Sequence, residues 1–270
     1  MSFFITPDGV KLHYQTAGSG KPLLFLHGWS VCSRVWKYQV EWFSSKYQVT
    51  TLDLRGHGNS ESINGECNFS SLARDIAHFI EGLGLEKLTL VGWSLSVSLI
   101  VKLISAYSVP VDSLVLIDGT PCFVSREDFP HGLPHVVVQR MIKRLDSNFT
   151  RALGEFHGLL LSGEEEKLDK RDEVWDLLTN AHYRPKREMA RDLLIALAHE
   201  DFRDEIATII LPTLLMHGDQ DKICPAGASR YMKEHLGCSE IALFPEAGHA
   251  PFLTQPEDFN KKLSTFLHAL

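Results

Sequence analysis

Three side chains far apart in the 270-residue chain are of types that, brought together, cleave acyl bonds: Ser94 in GWSLS, Asp221 in HGDQDK and His249 in EAGHAPF. A serine hydroxyl is barely ionised at neutral pH and attacks a carbonyl only when a base takes its proton. His249 is the base expected here, set apart among thirteen histidines by its place after the last strand-like run. A carboxylate must then hold the imidazole in one tautomer and stabilise its charged form. Asp221, just past PTLLMHG, is the acid expected. Asp118, at the end of an earlier strand-like run, is the second choice, and Asp219 is expected to cap its own turn. The backbone N–H groups of Leu95, next to the serine, and of Trp29, in HGWS, are the donors expected to face a developing oxyanion. His27 and His57 are expected to shape loops.

A nucleophile on a sharp strand-to-helix turn needs very small residues two positions before and after it, because strand and helix approach closely there. Gly92 meets that requirement. Ser96, standing where glycine is usual, brings a Cβ and a hydroxyl into the same space.

These residues share a location only if parallel strands of one sheet carry them. Short apolar or β-branched runs at 22–26, 48–54, 88–92, 111–117, 212–218 and 240–244 follow an opening hairpin at 3–5 and 9–17. Helix-like stretches at 34–44, 69–83, 95–106, 226–235 and 255–270 alternate with them. Unbroken apolar strands alternating with helices predict an α/β fold with a parallel sheet covered on both faces. Ligands of such sheets bind beyond the carboxyl ends of the strands, where HGWS, GWSLS, HGDQD and EAGHAPF all fall. The alternation stops at 119–208, which is helix-like and richly charged. Residues 1–118 and 209–270 are therefore expected to form one core, with 119–208 inserted as a helical lid.

Composition narrows the function. A net charge of −7 argues against general nucleic-acid binding, which needs a basic face. No apolar run is long enough to span a bilayer, and the first residues lack the pattern of a secretory signal. The five scattered cysteines show no metal-ligand spacing. The expectation is a cytoplasmic monomer that needs no metal or organic cofactor.

With these motifs in hand, the whole chain resembles the α/β-hydrolases: a mostly parallel sheet flanked by helices, with an inserted helical lid. More narrowly it is similar to the pimeloyl-acyl-carrier-protein methyl ester esterases of biotin synthesis. LHGWS, LDLRGHGNS, VGWSL, TPCFVSREDFP, NFTRALGEFHGLL and HAPFLTQPEDF carry that likeness. The resemblance implies a serine carboxylesterase that forms an acyl-enzyme, with Ser94, Asp221 and His249 as its triad. It implies that Trp29 and Leu95 meet the ester, and that Phe156, His157, Gly158, Leu159 and Leu160 line the acyl tunnel. It also implies an acidic acyl carrier protein as partner, docked on lid cations, here Arg140, Lys143, Arg144 and Arg151. Arg151 matches a carrier-binding arginine of the family, whereas Glu155, Leu168 and Asp172 stand where further arginines are expected, with Lys167, Lys170 and Arg171 nearby. Arg140, Arg144 and Arg151 share a face only if one helix runs through them, and Asp146-Ser147 has the look of a helix start. Three other readings fit the same residues: a broad esterase or thioesterase for short and medium acyl esters, a catalytically silent, ligand-binding relative, and a haloperoxidase-like or C–C-cleaving hydrolase.

Overall fold

A computed structural model describes residues 2–61, 67–161, 164, 168 and 170–270. Eight strands form one sheet: β1 (Ser2–Ile5), β2 (Lys11–Ala17), β3 (Pro22–Leu26), β4 (Gln48–Leu52), β5 (Leu88–Trp93), β6 (Val111–Ile117), β7 (Thr213–Gly218) and β8 (Ser239–Phe244). Their order across the sheet is β1-β2-β4-β3-β5-β6-β7-β8. Strand β2 pairs antiparallel with both β1 and β4; from β4 to β8 every pairing is parallel. The central strands are apolar without alternation because both faces are covered: β5 and β7 are buried at every position.

The helices supply that cover. On the core they are α1 (Lys37–Phe43), α2 (Phe69–Gly82) and α3 (Leu95–Ala106). After β6 come α4 (His135–Ser147), α5 (Phe149–Leu160), α6 (Arg171–Thr179), α7 (Arg187–His199) and α8 (Arg203–Ile206). The chain then returns through α9 (Gly227–His235), α10 (Pro251–Thr254) and α11 (Pro256–Ala269). Helix α2 starts where a reciprocal capping box forms. The Asn68 side chain accepts from the Ser71 N–H, and the Ser71 hydroxyl accepts from the Asn68 N–H. The continuous helix expected at 255–270 is preceded by a short separate turn, α10, with a proline at the first position of each piece.

The two ends of the segment between β6 and β7 are stitched together. Cys122 and Asp201 form an antiparallel bridge, and the Phe202 N–H donates to the Pro121 carbonyl at 2.8 Å. Within the segment α4 packs on α5 and α7. Helix α4 ends at Ser147, and the Asn148 side chain caps α5 by accepting from the Arg151 N–H. Arg140, Lys143 and Arg144 therefore lie on α4 and Arg151 on α5, on two helices rather than one. The break falls one residue beyond the expected Asp146-Ser147 start, because Asn148 supplies the capping oxygen. Among the described residues no helix is long and apolar enough to cross a membrane.

Candidate active site

Parallel pairing puts the carboxyl ends of β3, β5, β6, β7 and β8 along one rim, and the site is built there. Strand β5 ends at Trp93, and Ser94 occupies the turn into α3 with φ 57° and ψ −117°. A non-glycine residue holds such torsions only where the surroundings impose them. Here the Ser94 N–H is tied to the Ile117 carbonyl of β6 at 2.8 Å. The approach of strand to helix is close enough that a Cβ on Gly92 would stand 2.5 Å from Ile100 Cδ1 and 2.9 Å from the Ser96 carbonyl.

The loop after β8 delivers His249, whose Nε2 lies 2.8 Å from Ser94 Oγ. On the other side of the ring, Nδ1 lies 2.7 Å from Asp221 Oδ2. A carboxylate only accepts, so Nδ1 carries the proton and Nε2 is left as an acceptor facing the serine hydroxyl. Asp221 is itself held by its other oxygen, which accepts from the Ile223 N–H at 2.7 Å and the Cys224 N–H at 3.0 Å. All three residues are buried. Burial alone would raise the Asp221 carboxyl, but the charge of His249 and the hydrogen bonds from His217 and His249 outweigh it and hold the group below the usual carboxylate range.

Asp118, the alternative acid, sits one strand away. Its Oδ1 accepts from the Gly218 N–H at 2.8 Å, and its Oδ2 has no hydrogen-bond partner among the described residues. Burial pushes this carboxyl up to about 7 against the pull of His217. His217 lies between the two acids, 3.3 Å from Asp221 Oδ2 and 3.9 Å from Asp118 Oδ1. Burial would lower this imidazole, but the Asp221 hydrogen bond and the Asp118 charge prevail and push it up to about 9. Ligand-type atoms of Asp118, His217 and Asp221 fall within 4.8 Å of one another. Asp221 Oδ2 is engaged by His249, however, and His217 Nε2 donates to the Cys224 carbonyl at 2.7 Å, so the cluster is a hydrogen-bonded network. Among the described residues Asp219 does not cap its own turn: its Oδ1 accepts from the Glu246 N–H at 2.8 Å and anchors the loop that carries His249.

That loop is held from three further directions that spacing in the sequence does not reveal. Trp93 Nε1 donates to the His249 carbonyl at 2.7 Å. The His249 N–H donates to the Leu160 carbonyl at 3.1 Å, and the Gly248 N–H to Glu164 Oε2 at 2.6 Å. The last two partners belong to the segment between β6 and β7, which thus braces the His249 backbone directly.

Trp29 lies in the loop after β3, beside the elbow; a Cβ on Gly28 would stand 3.2 Å from Ser94 Cβ. Its indole N–H donates to the Ala190 carbonyl of α7 at 2.8 Å, and its ring meets Phe156 edge-on at 4.7 Å. Leu95 is buried at the first position of α3. His27 shapes this loop as expected. Its Nδ1 donates to the Gly28 carbonyl at 2.8 Å, and its Nε2 accepts from the Leu54 N–H at 3.0 Å. Burial pushes the ring's pKa down, in keeping with a neutral imidazole. His57 points Nδ1 at the Arg55 carbonyl, and burial pushes its pKa down to about 3. Asp53 of LDLRGHGNS accepts from Ser33 N–H, Asn59 N–H and His13, joining the loops after β3 and β4.

The α5 residues separate by role. Phe156 and Leu159 line a cavity of about 60 Å³ with Trp29, Met141, Leu145 and Ala152, and Arg144 and Glu155 also border it. His157 is buried, with Nε2 3.1 Å from Ser30 Oγ. Gly158 is half-buried with open space where a Cβ would stand, and Leu160 is buried over the His249 backbone. A groove of about 240 Å³ adjoins the cavity through Arg144, Ala152 and Glu155, and Arg151 lines it. Glu155 bridges both arginines: Oε2 to Arg144 Nη1 at 2.8 Å and Oε1 to Arg151 Nε at 3.0 Å. Arg140 and Lys143 take no part in that bridge. Lys167 lies outside the described residues.

A buried imidazole facing a serine hydroxyl, with a carboxylate on its far side, suits acyl transfer from an ester. Comparison with known proteins agrees. The family model described as alpha/beta hydrolase fold matches residues 21–256. A pimeloyl-[acyl-carrier protein] methyl ester esterase of Nitrosomonas europaea is 35% identical over 255 residues, covering 92% of this chain and 96% of that protein. One of the same name from Aeromonas hydrophila is 30% identical over 254 residues, covering 93% and 96%. Among solved structures, an esterase from Exiguobacterium antarcticum superposes with a TM-score of 0.92 at 27% identity, covering 99% of both chains. The chain belongs to the alpha/beta hydrolase family and is a carboxylic ester hydrolase.

Proposed function

We propose that the chain is a serine carboxylesterase acting on the methyl ester of a pimeloyl group borne on acyl carrier protein, with Ser94, His249 and Asp221 as its triad. The observation that carries the chemistry is the relay from Asp221 Oδ2 through the His249 ring to Ser94 Oγ, at 2.7 and 2.8 Å. Ser94 attacks the ester carbonyl as His249 Nε2 takes its proton, and the resulting imidazolium is stabilised by Asp221. The N–H groups of Trp29 and Leu95 receive the oxyanion, each worth about 3–4 kcal/mol by analogy with single-donor removals elsewhere. His249 returns the proton to methanol as it leaves. Water, activated by the same imidazole, then frees the carboxylate and restores Ser94.

The choice of substrate rests on the relatives' names and on the groove at Arg144 and Arg151, which shares Arg144, Ala152 and Glu155 with the lining of the apolar cavity at Trp29 and Phe156. That layout suits an acyl chain entering from an acidic carrier. The test compares kcat/KM for pimeloyl-carrier methyl ester with that for the same ester lacking the carrier. The carrier-borne ester is expected to be favoured at least tenfold; equal values reject carrier recognition and leave the esterase chemistry standing. One observation favours a broader esterase as the second reading: Glu155 already occupies both arginines. On that reading the two substrates react alike.

A further inference from the structure

Ser96 stands where such elbows usually carry glycine, and its side chain is engaged. It is the second residue of α3, fully buried, and its Oγ donates to the carbonyl oxygen of His27 at 2.5 Å. His27 is also fully buried. Its carbonyl belongs to the peptide joining it to Gly28. The next peptide, Gly28–Trp29, is fixed through its own carbonyl by His27 Nδ1 at 2.8 Å. The chain has no cis peptide among the described residues, and a planar trans peptide sets the N–H opposite its C=O. Fixing the Gly28 carbonyl therefore aims the Trp29 N–H. Two consecutive peptide planes of this loop are thus held, one by the Ser96 hydroxyl and one by the His27 imidazole.

The anchor is on the element that carries the other donor. Leu95, whose N–H completes the pair assigned above, immediately precedes Ser96 on α3, whereas Trp29 follows β3. The Ser96–His27 bond is a direct tie between the two halves of the oxyanion site. An oxyanion is stabilised only where both donors lie about 2.7–3.1 Å from it at once, so the spacing between halves is itself a catalytic requirement. Glycine at position 96 would remove that direct tie and leave the spacing to strand and helix packing and to the bonds of Trp29 to Ala190 and of Leu54 to His27.

We propose that Ser96 is a positioning residue for ester hydrolysis, its hydroxyl setting the separation of the Trp29 and Leu95 N–H groups. The proposal rests on the serine-esterase reading above. It is tested with Ser96→Ala, which removes the hydroxyl, and Ser96→Gly, which also removes the Cβ. Steady-state kinetics on a soluble methyl ester are paired with the affinity of a trifluoromethyl ketone, which forms a tetrahedral adduct needing the same two donors. In both variants kcat falls about tenfold, part of the roughly 10²–10³ lost when a whole donor is removed. KM stays within twofold, affinity for the ketone falls in parallel with kcat, and the pH profile keeps its midpoint. A kcat and ketone affinity within twofold of wild type in either folded variant overturns the proposal, as does a loss confined to KM. A fluorophosphonate applied to the wild-type enzyme separates this from failure of the underlying reading. An adduct on Ser94 with unaltered Ser96 variants refutes only the role of Ser96, whereas no adduct on Ser94 removes the serine-esterase reading and this proposal with it.

Discussion

Replacing Asp221 by asparagine changes one atom, and the surroundings dictate how the new amide must sit. Oδ1 of Asp221 accepts from two backbone N–H groups, those of Ile223 and Cys224. An amide NH₂ placed there would face donors with a donor, leaving buried groups unpaired at a cost of about 1–3 kcal/mol each. The amide oxygen of the variant therefore stays with those N–H groups, and its NH₂ turns toward His249 Nδ1, which lies 2.7 Å from the carboxylate oxygen that the NH₂ replaces. Nδ1 must become the acceptor, the proton moves to Nε2, and the ring faces Ser94 with a donor. A base in that tautomer cannot take the serine proton. The corresponding change in a Ser–His–Asp protease lowers kcat by ~10⁴, equivalent to about 5.5 kcal/mol in the barrier, and the same order is expected for Asp221→Asn. Asp118→Asn is the control. That carboxyl is already pushed up to about 7, its Oδ1 bond to Gly218 survives in the amide, and its Oδ2 has no partner among the described residues to lose. Its kcat is expected within about tenfold of wild type, since a single neutral hydrogen bond is worth roughly 0.5–1.5 kcal/mol. Both variants are assayed on p-nitrophenyl acetate, with circular dichroism to verify folding. A folded Asp221→Asn enzyme within tenfold of wild type, or a larger loss in Asp118→Asn, refutes the assignment of the acid.

Three other changes probe the surroundings of the triad. Glu164→Ala removes the carboxylate that holds the Gly248 N–H; kcat/KM on the same ester is expected to fall about 10–100-fold, the equivalent of a hydrogen bond to a charged group at 1.5–3 kcal/mol, and an unchanged rate contradicts the bracing role. Arg144→Ala with Arg151→Ala is expected to lower kcat/KM for the carrier-borne ester at least tenfold at low salt, with the difference shrinking as salt is added and carrier-free ester unaffected. Burial, helped by the Arg184 charge, pushes His157 from its ordinary 6.5 down to about 4. The unfolded chain then binds a proton that the folded one refuses, so stability from this group is full above about 6.5 and is lost toward 4, at about 1.4 kcal/mol per pH unit. Urea unfolding between those pH values should show a shallower acid loss in His157→Asn; an identical slope contradicts the burial argument.

The sheet was legible because its signals are local. Apolar runs such as PLLFL and LTLVGW are long enough to identify buried parallel strands, and the alternation with helices orders them. The sequence likewise marks Ser94, Asp221 and His249 as residues at strand ends, since each immediately follows a run of that kind or its loop. What it does not carry is the reach of one loop to another. Trp93 Nε1 meets a carbonyl 156 residues away, Glu164 an N–H 84 residues away, and Ser96 a carbonyl 69 residues away. None of these bonds leaves a spacing pattern, and the partner in each is a backbone atom that every residue possesses. The boundary between α4 and α5 shows the local limit. Asp146, Ser147 and Asn148 all have capping side chains, and only the folded chain shows that Asn148 is the one reaching the Arg151 N–H. For the same reason Ser96 reads from the sequence as an obstacle in a tight turn and from the structure as a bond.

Incubation with a fluorophosphonate, followed by proteolysis and mass spectrometry, addresses the proposed nucleophile with no assumption about substrate. A single adduct on the peptide containing Ser94 is expected, absent in Ser94→Ala and formed at least a hundredfold more slowly in His249→Ala. An unlabelled Ser94 in the folded enzyme, or an adduct on another serine that persists with turnover in Ser94→Ala, would contradict the account.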